Sequence, residues 1–380
     1  MSSLPPLSLY IHVPWCVRKC PYCDFNSHTS PQSLPEKAYV AALIADLQAD
    51  LAWVQGRKIG SVFIGGGTPS LFSGQTYQDL FTQLRQHLDF SSDCEVTLEA
   101  NPATVEHDNF EGYLAAGINR LSLGVQSFNP THLQTLGRIH SQQDAFNAIQ
   151  LAKTAGFSNF NLDLMHGLPQ QDLSQALEDI DCALSFHPTH LSWYQLTIEP
   201  NTAFYRQPPA LPDDDILWAI QEAGQQKLAQ AGFQQYEVSA YSQQRPSKHN
   251  LNYWQFGDYL AIGAGAHGKV TTPEGIFRYR KTRLPKDYLA AAPQQQARLG
   301  LEKIVTEDLY FEFMMNALRL NHGFAKSLFH ERTGLSISAI LYELDAAQQR
   351  GLLTHTAQDI IPTQQGRRFL NDLLAIFLPD

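Results

Sequence analysis

The chain has 380 residues, enough for two domains or one large domain with an appendage. Apolar residues at 43% and charged residues at 17% supply a sizeable core and exclude bulk disorder. A formal charge of −10 argues against broad binding to nucleic acid or anionic membranes, no apolar run offers a membrane-spanning helix, and residues 1–6 do not read as a secretory signal.

In chain order, residues 8–13 read as a first strand. Residues 35–54 follow as a helix, with Val40, Leu43, Ile44, Leu47, Leu51 and Val54 at helical spacing and Pro35 suited to its first turn. Residues 61–64 are a second strand and 75–88 a helix. Residues 95–99, 119–124 and 159–164 are the third, fourth and fifth strands. A helix over 172–186, a sixth strand over 190–196 and a helix over 213–230 complete the series. Six strands separated by helical segments pair in parallel with helices outside. A doubly wound sheet and an incomplete barrel both satisfy that pattern, and periodicity does not choose. The unusual residues do: the cysteines, Gly65-Gly66-Gly67-Thr68, Glu99, Gln126, Asp163 and Gln195 all sit at or just after strand ends. A barrel brings those ends to one face. The expected fold is therefore α/β, an incomplete six-unit β/α barrel over residues 1–239.

The pattern changes near residue 240. Residues 240–300 are rich in aromatics, Gly and Asn, show no clear helix, and read as a connecting segment. Helical runs at 307–319, 323–331 and 336–349, a hairpin at 351–355 and 360–363, and a last helix over 364–378 suggest a winged-helix-like module over 301–380. That module carries 7 Lys/Arg against 10 Asp/Glu, so packing or interaction is expected of it rather than DNA binding.

Five cysteines are too few for a disulfide framework in a chain of this size. Cys16, Cys20 and Cys23 fall within eight residues directly after the first strand, while Cys94 and Cys182 are isolated. The triplet reads as a metal or cluster site in a reducing compartment, hence the cytoplasm. Zinc with His12 or His28 as fourth ligand is one reading, but structural zinc sites usually pair two such knuckles and no second one exists. A cubane iron–sulfur cluster is the other. Three thiolates leave one of its irons open to a small chelating ligand.

The spacing C-x3-C-x2-C, with Tyr22 before the third cysteine, resembles the radical S-adenosylmethionine (SAM) superfamily. The resemblance implies a 4Fe–4S cluster on Cys16, Cys20 and Cys23, with the amino and carboxylate groups of SAM on the open iron. In that family, reduction of the cluster splits SAM into methionine and a 5′-deoxyadenosyl radical. Tyr10-x-His12-x-Pro14-x-Cys16 narrows the likeness to proteins similar to oxygen-independent coproporphyrinogen III oxidase, over nearly the whole chain. Gly66, Gly67 and Thr68 would let backbone approach the methionine moiety and offer it N–H and C=O groups. The family would place Glu99, Gln126, Arg138 and Asp163 around the methionine, ribose and carboxylate. The fork of Arg138 suits the carboxylate, and Asp163 suits ribose hydroxyls.

Two departures separate the chain from the oxidase. Phe25 stands where the oxidase motif has a fourth cysteine, and only nine residues precede Tyr10, where the oxidase has a long extension. Both match a sister group, the HemW family, which looks like haem chaperones built on the radical SAM scaffold. His249-Asn250-Leu251-Asn252-Tyr253-Trp254 matches that group's HNxxYW motif, which the resemblance links to haem. It implies His249 as axial ligand, with Tyr253 and Trp254 against the porphyrin; the other reading is a structural motif whose His and Trp pack the barrel's open side. His267, within the small-residue stretch 263–268, is either near the SAM adenine or a second candidate ligand, ranked below His249. The implied protein carries haem and a SAM-coordinated cluster and delivers haem to apo-haemoproteins. The likeness suggests respiratory recipients, hence transient membrane contact without an anchor, and no nucleic acid. The alternative is radical SAM decarboxylation of coproporphyrinogen III, an activity expected to be absent.

Overall fold

The structure is a computed structural model that describes residues 4–104 and 107–379. Strand β1 (Leu7–Val13) leads into a loop that carries the short strands β2 (Trp15–Cys16) and β3 (His28–Thr29), then helix α1 (Glu36–Asp50). Repeating units follow: β4 (Ile59–Gly66) with α2 (Gly74–His87), β5 (Phe90–Ala100) with α3 (His107–Ala116), and β6 (Arg120–Gln126) with α4 (Pro130–Thr135) and α5 (Gln142–Ala155). Next come β7 (Phe160–His166) with α6 (Leu173–Ser185), then β8 (His190–Gln195), α7 (Ala203–Arg206) and α8 (Asp214–Gln230). The strands β1, β4, β5, β6, β7 and β8 pair in parallel in that order.

Alternation along each strand separates two faces. Leu9, Ile11, Val62, Ile64, Leu98, Leu121, Leu123, Leu162 and Leu191 are fully buried in the core that the helices cover. The opposite parity, including Tyr10, His12, Glu99, Ser122, Asp163 and Tyr194, is mostly polar and faces the interior. Helix α5 shows how local chemistry fixes the covering layer. Ser141 and Asp144 form a capping box at its start, and Gly156 takes the left-handed C-cap at φ 106°.

The array is larger than six strands. Strands β9 (Gln234–Glu237) and β10 (Ala240–Ser242) extend the β8 edge in antiparallel fashion. After α9 (Lys248–Trp254), strand β11 (Asp258–Ile262) pairs in parallel with the other side of β1, Leu7 opposite Asp258 and Ile11 opposite Ile262. Strands β12 (His267–Thr272), β13 (Gly275–Lys281) and β14 (Arg298–Lys303) continue antiparallel, with α10 (Pro285–Ala291) between the last two. Among the described residues the result is one twelve-stranded sheet, a partial barrel whose edges do not pair with each other. Residues 240–300 are therefore part of the sheet and not a connector.

Buried charge ties this extension down. Lys281 on β13 is fully buried, and its Nζ lies 2.5 Å from Asp46 and 2.6 Å from Asp50 on α1. Arg298 reaches Asp50 at 2.8 Å, and the Tyr288 hydroxyl donates to Asp46 at 2.8 Å. Asp258 is held by Arg57 at 2.7 Å and Lys269 at 3.1 Å. Buried ions of this kind persist only when each is paired and hydrogen-bonded.

The C-terminal module holds α11 (Thr306–Ala317), α12 (Lys326–Thr333) and α13 (Leu341–Gln349) with β15 (Phe324–Ala325), β16 (Leu353–His355) and β17 (Asp359–Pro362). The three strands form a small antiparallel sheet with β17 in the middle, in keeping with a winged-helix-like module. The last helical run breaks at Phe369 into Gln364–Arg368 and Leu370–Ala375. The module's core of Phe313, Phe329, Leu344, Ile360 and Phe377 takes in Phe256 and Ile276, so it packs directly on the barrel's extension. Among the described residues no helix is long and apolar enough to cross a membrane.

Candidate cofactor site

The cysteine triplet lies in the loop after β1. Pairing of β2 with β3 sets Trp15 opposite His28 and Cys16 opposite Thr29, which closes that loop on itself. All three thiols are free and half-buried, and they line one cavity of about 350 Å³. The ends of the parallel strands supply its other walls: Gly66, Gly67, Thr68, Glu99, Gln126 and Asp163, together with Tyr22 and Arg138. Donors already reach two of the sulfurs. Thr68 Oγ1 lies 3.4 Å from Cys16 Sγ, and Arg138 Nη1 lies 3.6 Å from Cys20 Sγ. Burial pushes the Cys16 and Cys23 thiols up, so a metal's charge is what would make thiolates of them.

The zinc reading finds no ligand set. His12 Nδ1 pairs with the Tyr10 hydroxyl at 3.0 Å and its Nε2 with Asn26 O at 2.8 Å, while His28 Nε2 faces Asn26 Oδ1 at 3.2 Å. Among the described residues no three His, Cys, Asp or Glu side chains converge on a single ion position. A cubane cluster spreads its ligands over separate iron atoms, and three spaced thiols on one cavity wall fit it.

The glycines act differently from the sequence-based expectation. A Cβ on Gly66, at φ 114°, would lie 2.4 Å from the His12 ring, and one on Gly67 would lie 2.5 Å from Trp15 O. Their N–H groups are also engaged. Gly66 N–H donates to Glu99 Oε2 at 3.2 Å, Gly67 N–H to Val13 O at 2.7 Å and Thr68 N–H to Trp15 O at 2.7 Å. The run clamps the cysteine loop against β4, and its N–H groups are not left for a ligand.

The polar wall has two chemical ends. Glu99 and Asp163 are half-buried, with their open side on the cavity. Burial, and then the Asp163 carboxylate, pushes Glu99 up to about 8 against the single Gly66 N–H. Burial also raises Asp163, although Ser122 Oγ donates to it at 2.9 Å and Asn161 Nδ2 at 2.8 Å. Such a pair favours a ligand that brings positive charge or hydroxyls. At the other end Arg138 Nη2 donates to Gly124 O at 2.7 Å, and Arg18 Nη2 holds the Arg138 carbonyl at 3.1 Å. Arg138 Nε is buried without a partner. A carboxylate-bearing ligand would satisfy it. Gln126, at φ 69°, accepts from the Tyr194 hydroxyl at 2.8 Å.

Ser122, Ser192 and Tyr194 also line this cavity, and sequence reasoning missed them. It singled out Gln195 instead. Strand parity explains the difference: Ser192 and Tyr194 face inward, while Trp193 packs outward against Gly224 of α8.

Tyr10 lines a different space, a second cavity of about 740 Å³ that shares Phe25, Gly66 and Glu99 with the first. His249 does not reach either. It is 2% exposed, stacked on Phe63 at 4.9 Å between ring centroids and met edge-on by Tyr253 at 4.5 Å. Both its ring nitrogens are buried without partners, and burial lowers it to about 3. Its backbone N–H and the Ser247 hydroxyl that caps α9 both donate to Glu95. The expectation that His249 ligates haem does not match this arrangement, because an axial ligand must present a nitrogen to open space. Trp254 also turns away, with Arg319 stacked over its ring at 4.4 Å. Helix α9 plugs the interior instead.

Residues 10–183 match the radical SAM superfamily, and residues 306–369 match the HemN C-terminal domain. The chain is 53% identical to the heme chaperone HemW of Haemophilus influenzae over 386 residues, covering 100% of both chains. It is 51% identical to the heme chaperone HemW of Escherichia coli over 384 residues, again covering 100% of both. The chain belongs to the HemW family. The heme chaperone HemW of Bacillus subtilis is 34% identical, over 98% of this chain and 99% of its own. Among solved structures, coproporphyrinogen III oxidase (HemN) of Escherichia coli, a radical SAM enzyme, superposes with a TM-score of 0.82. That match covers 98% of this chain and 90% of the oxidase at 23% identity, and it establishes the shared fold. HemW membership thus spans the cysteine loop, the polar cavity and the C-terminal module together.

Proposed function

We propose that this chain is a haem chaperone that binds haem, carries a 4Fe–4S cluster with SAM on its open iron, and passes haem to apo-haemoproteins. The observation that carries this reading is the full-length identity of 53% and 51% to proteins named heme chaperone HemW. The donor set of the first cavity supports the cofactor part. Cys16, Cys20 and Cys23 would hold the cluster. Arg138 would bind the SAM carboxylate, Asp163 the ribose hydroxyls, and Glu99 a positively charged group, while Thr68, Gln126 and Tyr22 shape the wall. Held there, such a cluster would supply the electron for reductive cleavage of SAM. Glu99 gives up a proton as positive charge arrives, and Arg138 orients the ligand through its fixed fork.

Phe25 is 62% exposed at the rim between the cavities and offers no sulfur there. That supports a carrier over the decarboxylase, whose motif has cysteine at this point. We place the protein in the cytoplasm, where its free thiols stay reduced. Respiratory haemoproteins as recipients are the finer part of the proposal.

The test is to reconstitute the cluster anaerobically and supply ferric haem and coproporphyrinogen III separately. About one haem per chain, transferable to an apo-haemoprotein, with no porphyrinogen turnover, is expected. Multiple turnovers of coproporphyrinogen III would replace this reading with the decarboxylase.

A further inference from the structure

Behind the first cavity one row of side chains crosses three parallel strands. Ser122 on β6 stands opposite Asn161 on β7, and Asn161 opposite His190 on β8. Asn161 and His190 are fully buried, and Tyr236 on β9 closes the row, also buried. Asp163 lies two residues further along β7, so it shares the face of Asn161, with its open side on the cavity. The contacts form one continuous path. Asn161 Nδ2 donates to Asp163 Oδ1 and to Ser122 Oγ, both at 2.8 Å, and Ser122 Oγ donates in turn to Asp163 Oδ2 at 2.9 Å. Asn161 Oδ1 lies 2.7 Å from His190 Nδ1 and accepts from Ser192 Oγ at 3.2 Å. His190 Nε2 lies 2.9 Å from the Tyr236 hydroxyl. That hydroxyl accepts from the backbone N–H of Ser247, the N-cap of α9, at 3.3 Å.

Hydrogen-bond chemistry gives the path one direction. A carboxylate only accepts, so the Asn161 amide turns its Nδ2 to Asp163 and its Oδ1 to His190. That oxygen needs a donor, which places the imidazole proton on Nδ1. Burial, and then Arg120, hold His190 well below its ordinary value, so the ring carries no second proton. Nε2 is therefore a bare acceptor, and the Tyr236 hydroxyl donates to it. A buried polar group without a partner is costly, so each member fixes the next.

We infer that His190 and Tyr236 are positioning residues for SAM: from behind the cavity wall they hold the Asn161 amide in the orientation that donates to Asp163, which leaves the open side of that carboxylate for the ribose hydroxyls. The inference rests on the reading of the first cavity as the SAM site and extends it to side chains that do not touch the ligand. Ser122 and Asn161 fill both oxygens of Asp163 from behind, so its remaining acceptor capacity lies on the cavity side. An Asn161 amide turned over would face the carboxylate with a second acceptor, and no proton would stand between them.

The test uses the full chain, with its cluster reconstituted anaerobically for the binding measurements. Nitrogen NMR of isotope-labelled histidines should show His190, identified as the signal that His190→Asn lacks, with its proton on Nδ1. His190→Leu removes the donor and should weaken SAM about tenfold, the effect of losing one hydrogen bond. Its affinity for 2′,3′-dideoxy-SAM, which lacks the ribose hydroxyls, should match the wild type's. His190→Asn, whose amide can donate from the place of Nδ1, should regain most of the SAM affinity, and Tyr236→Phe should weaken SAM less than His190→Leu does. Wild-type SAM affinity in His190→Leu, or an equal loss of SAM and its dideoxy analogue, would overturn the inference. So would a His190 proton found on Nε2, a result read in the wild type that decides the matter even if His190→Leu does not fold. A wild-type chain that assembles its cluster yet binds no SAM would overturn the cofactor reading and this inference with it.

Discussion

The two cavities share a rim and are built in opposite ways. The first gathers the cysteine loop and the ends of successive parallel strands, so its cysteines, Gly66, Gly67, Thr68 and Glu99 sit inside or beside short recognisable motifs, while Ser122, Ser192 and Tyr194 do not. The second is assembled across β1, β4, α9 and the antiparallel strands β12 and β13, so Tyr10 and His267 meet from distant parts of the chain. A cofactor site made of motifs announces itself in the sequence. A cavity made by strand pairing does not, because no local spacing encodes which strands become neighbours.

The sharpest way to break this comparison is to remove a thiol. Cys20→Ala should abolish the 4Fe–4S spectrum, while Cys94→Ala and Cys182→Ala should leave it intact. Full iron stoichiometry in Cys20→Ala, measured after anaerobic reconstitution, would detach the first cavity from the cluster.

Lys281→Met tests the scaffold of the second cavity. It leaves Asp46 and Asp50 buried without their shared cation, a change that costs roughly 3–5 kcal/mol. Thermal unfolding should register the loss. The cluster should still assemble; an unchanged Tm would show that the ion pairs do not anchor the extension.

Glu99→Gln should lower SAM affinity by about one to two decades, the equivalent of losing a hydrogen bond to a charged group at roughly 1.5–3 kcal/mol. The wild type should also release a proton on binding SAM at pH 7, detectable by calorimetry in buffers of different ionisation enthalpy. Glu99 binds its proton more tightly folded than unfolded, so its contribution to stability is present below about 4.5 and is lost as pH rises towards about 8. Ligand-free stability should therefore fall across that window, and less so in Glu99→Gln. The smallest effect is expected of Tyr194→Phe, which removes the 2.8 Å bond to Gln126 and should cost about 1 kcal/mol of SAM binding. Equal SAM affinity in that variant would mean that Gln126 needs no orienting partner.

What was legible follows the same division. The six parallel strands and the helices after β1, β4, β7 and β8 lie close to their expected positions, because alternating apolar-rich runs mark them. Helix α5 was not singled out: its buried face is mostly small, with Ala145, Ala148 and Ala152 around Ile149, although its capping box and final Gly156 are visible in the sequence. Strand β11 was missed because Asp258-Tyr-Leu-Ala-Ile262 is a short run whose partner is β1, at the far end of the chain. The cysteines stood out by their C-x3-C-x2-C spacing, Glu99 and Asp163 by strand-end positions together with the family resemblance, and the structure brings all five to one cavity. The part played by the glycine N–H groups and by His249 was not legible, since the sequence does not reveal that those N–H groups already have acceptors or that α9 turns its imidazole inward.

The ion pairs of Lys281 also bear on how the chain is made. Asp46 and Asp50 leave the ribosome 235 and 231 residues before the lysine that neutralises them. At synthesis rates of about 5–20 residues per second, helix α1 waits roughly 10–50 s for its counter-charge. During that interval the nascent N-terminal strands expose the flank of β1 that β11 later covers. A fragment ending at residue 239 would stay in that condition permanently, so the lower bound on a foldable unit is set by a lysine in the stretch that first looked like a connector.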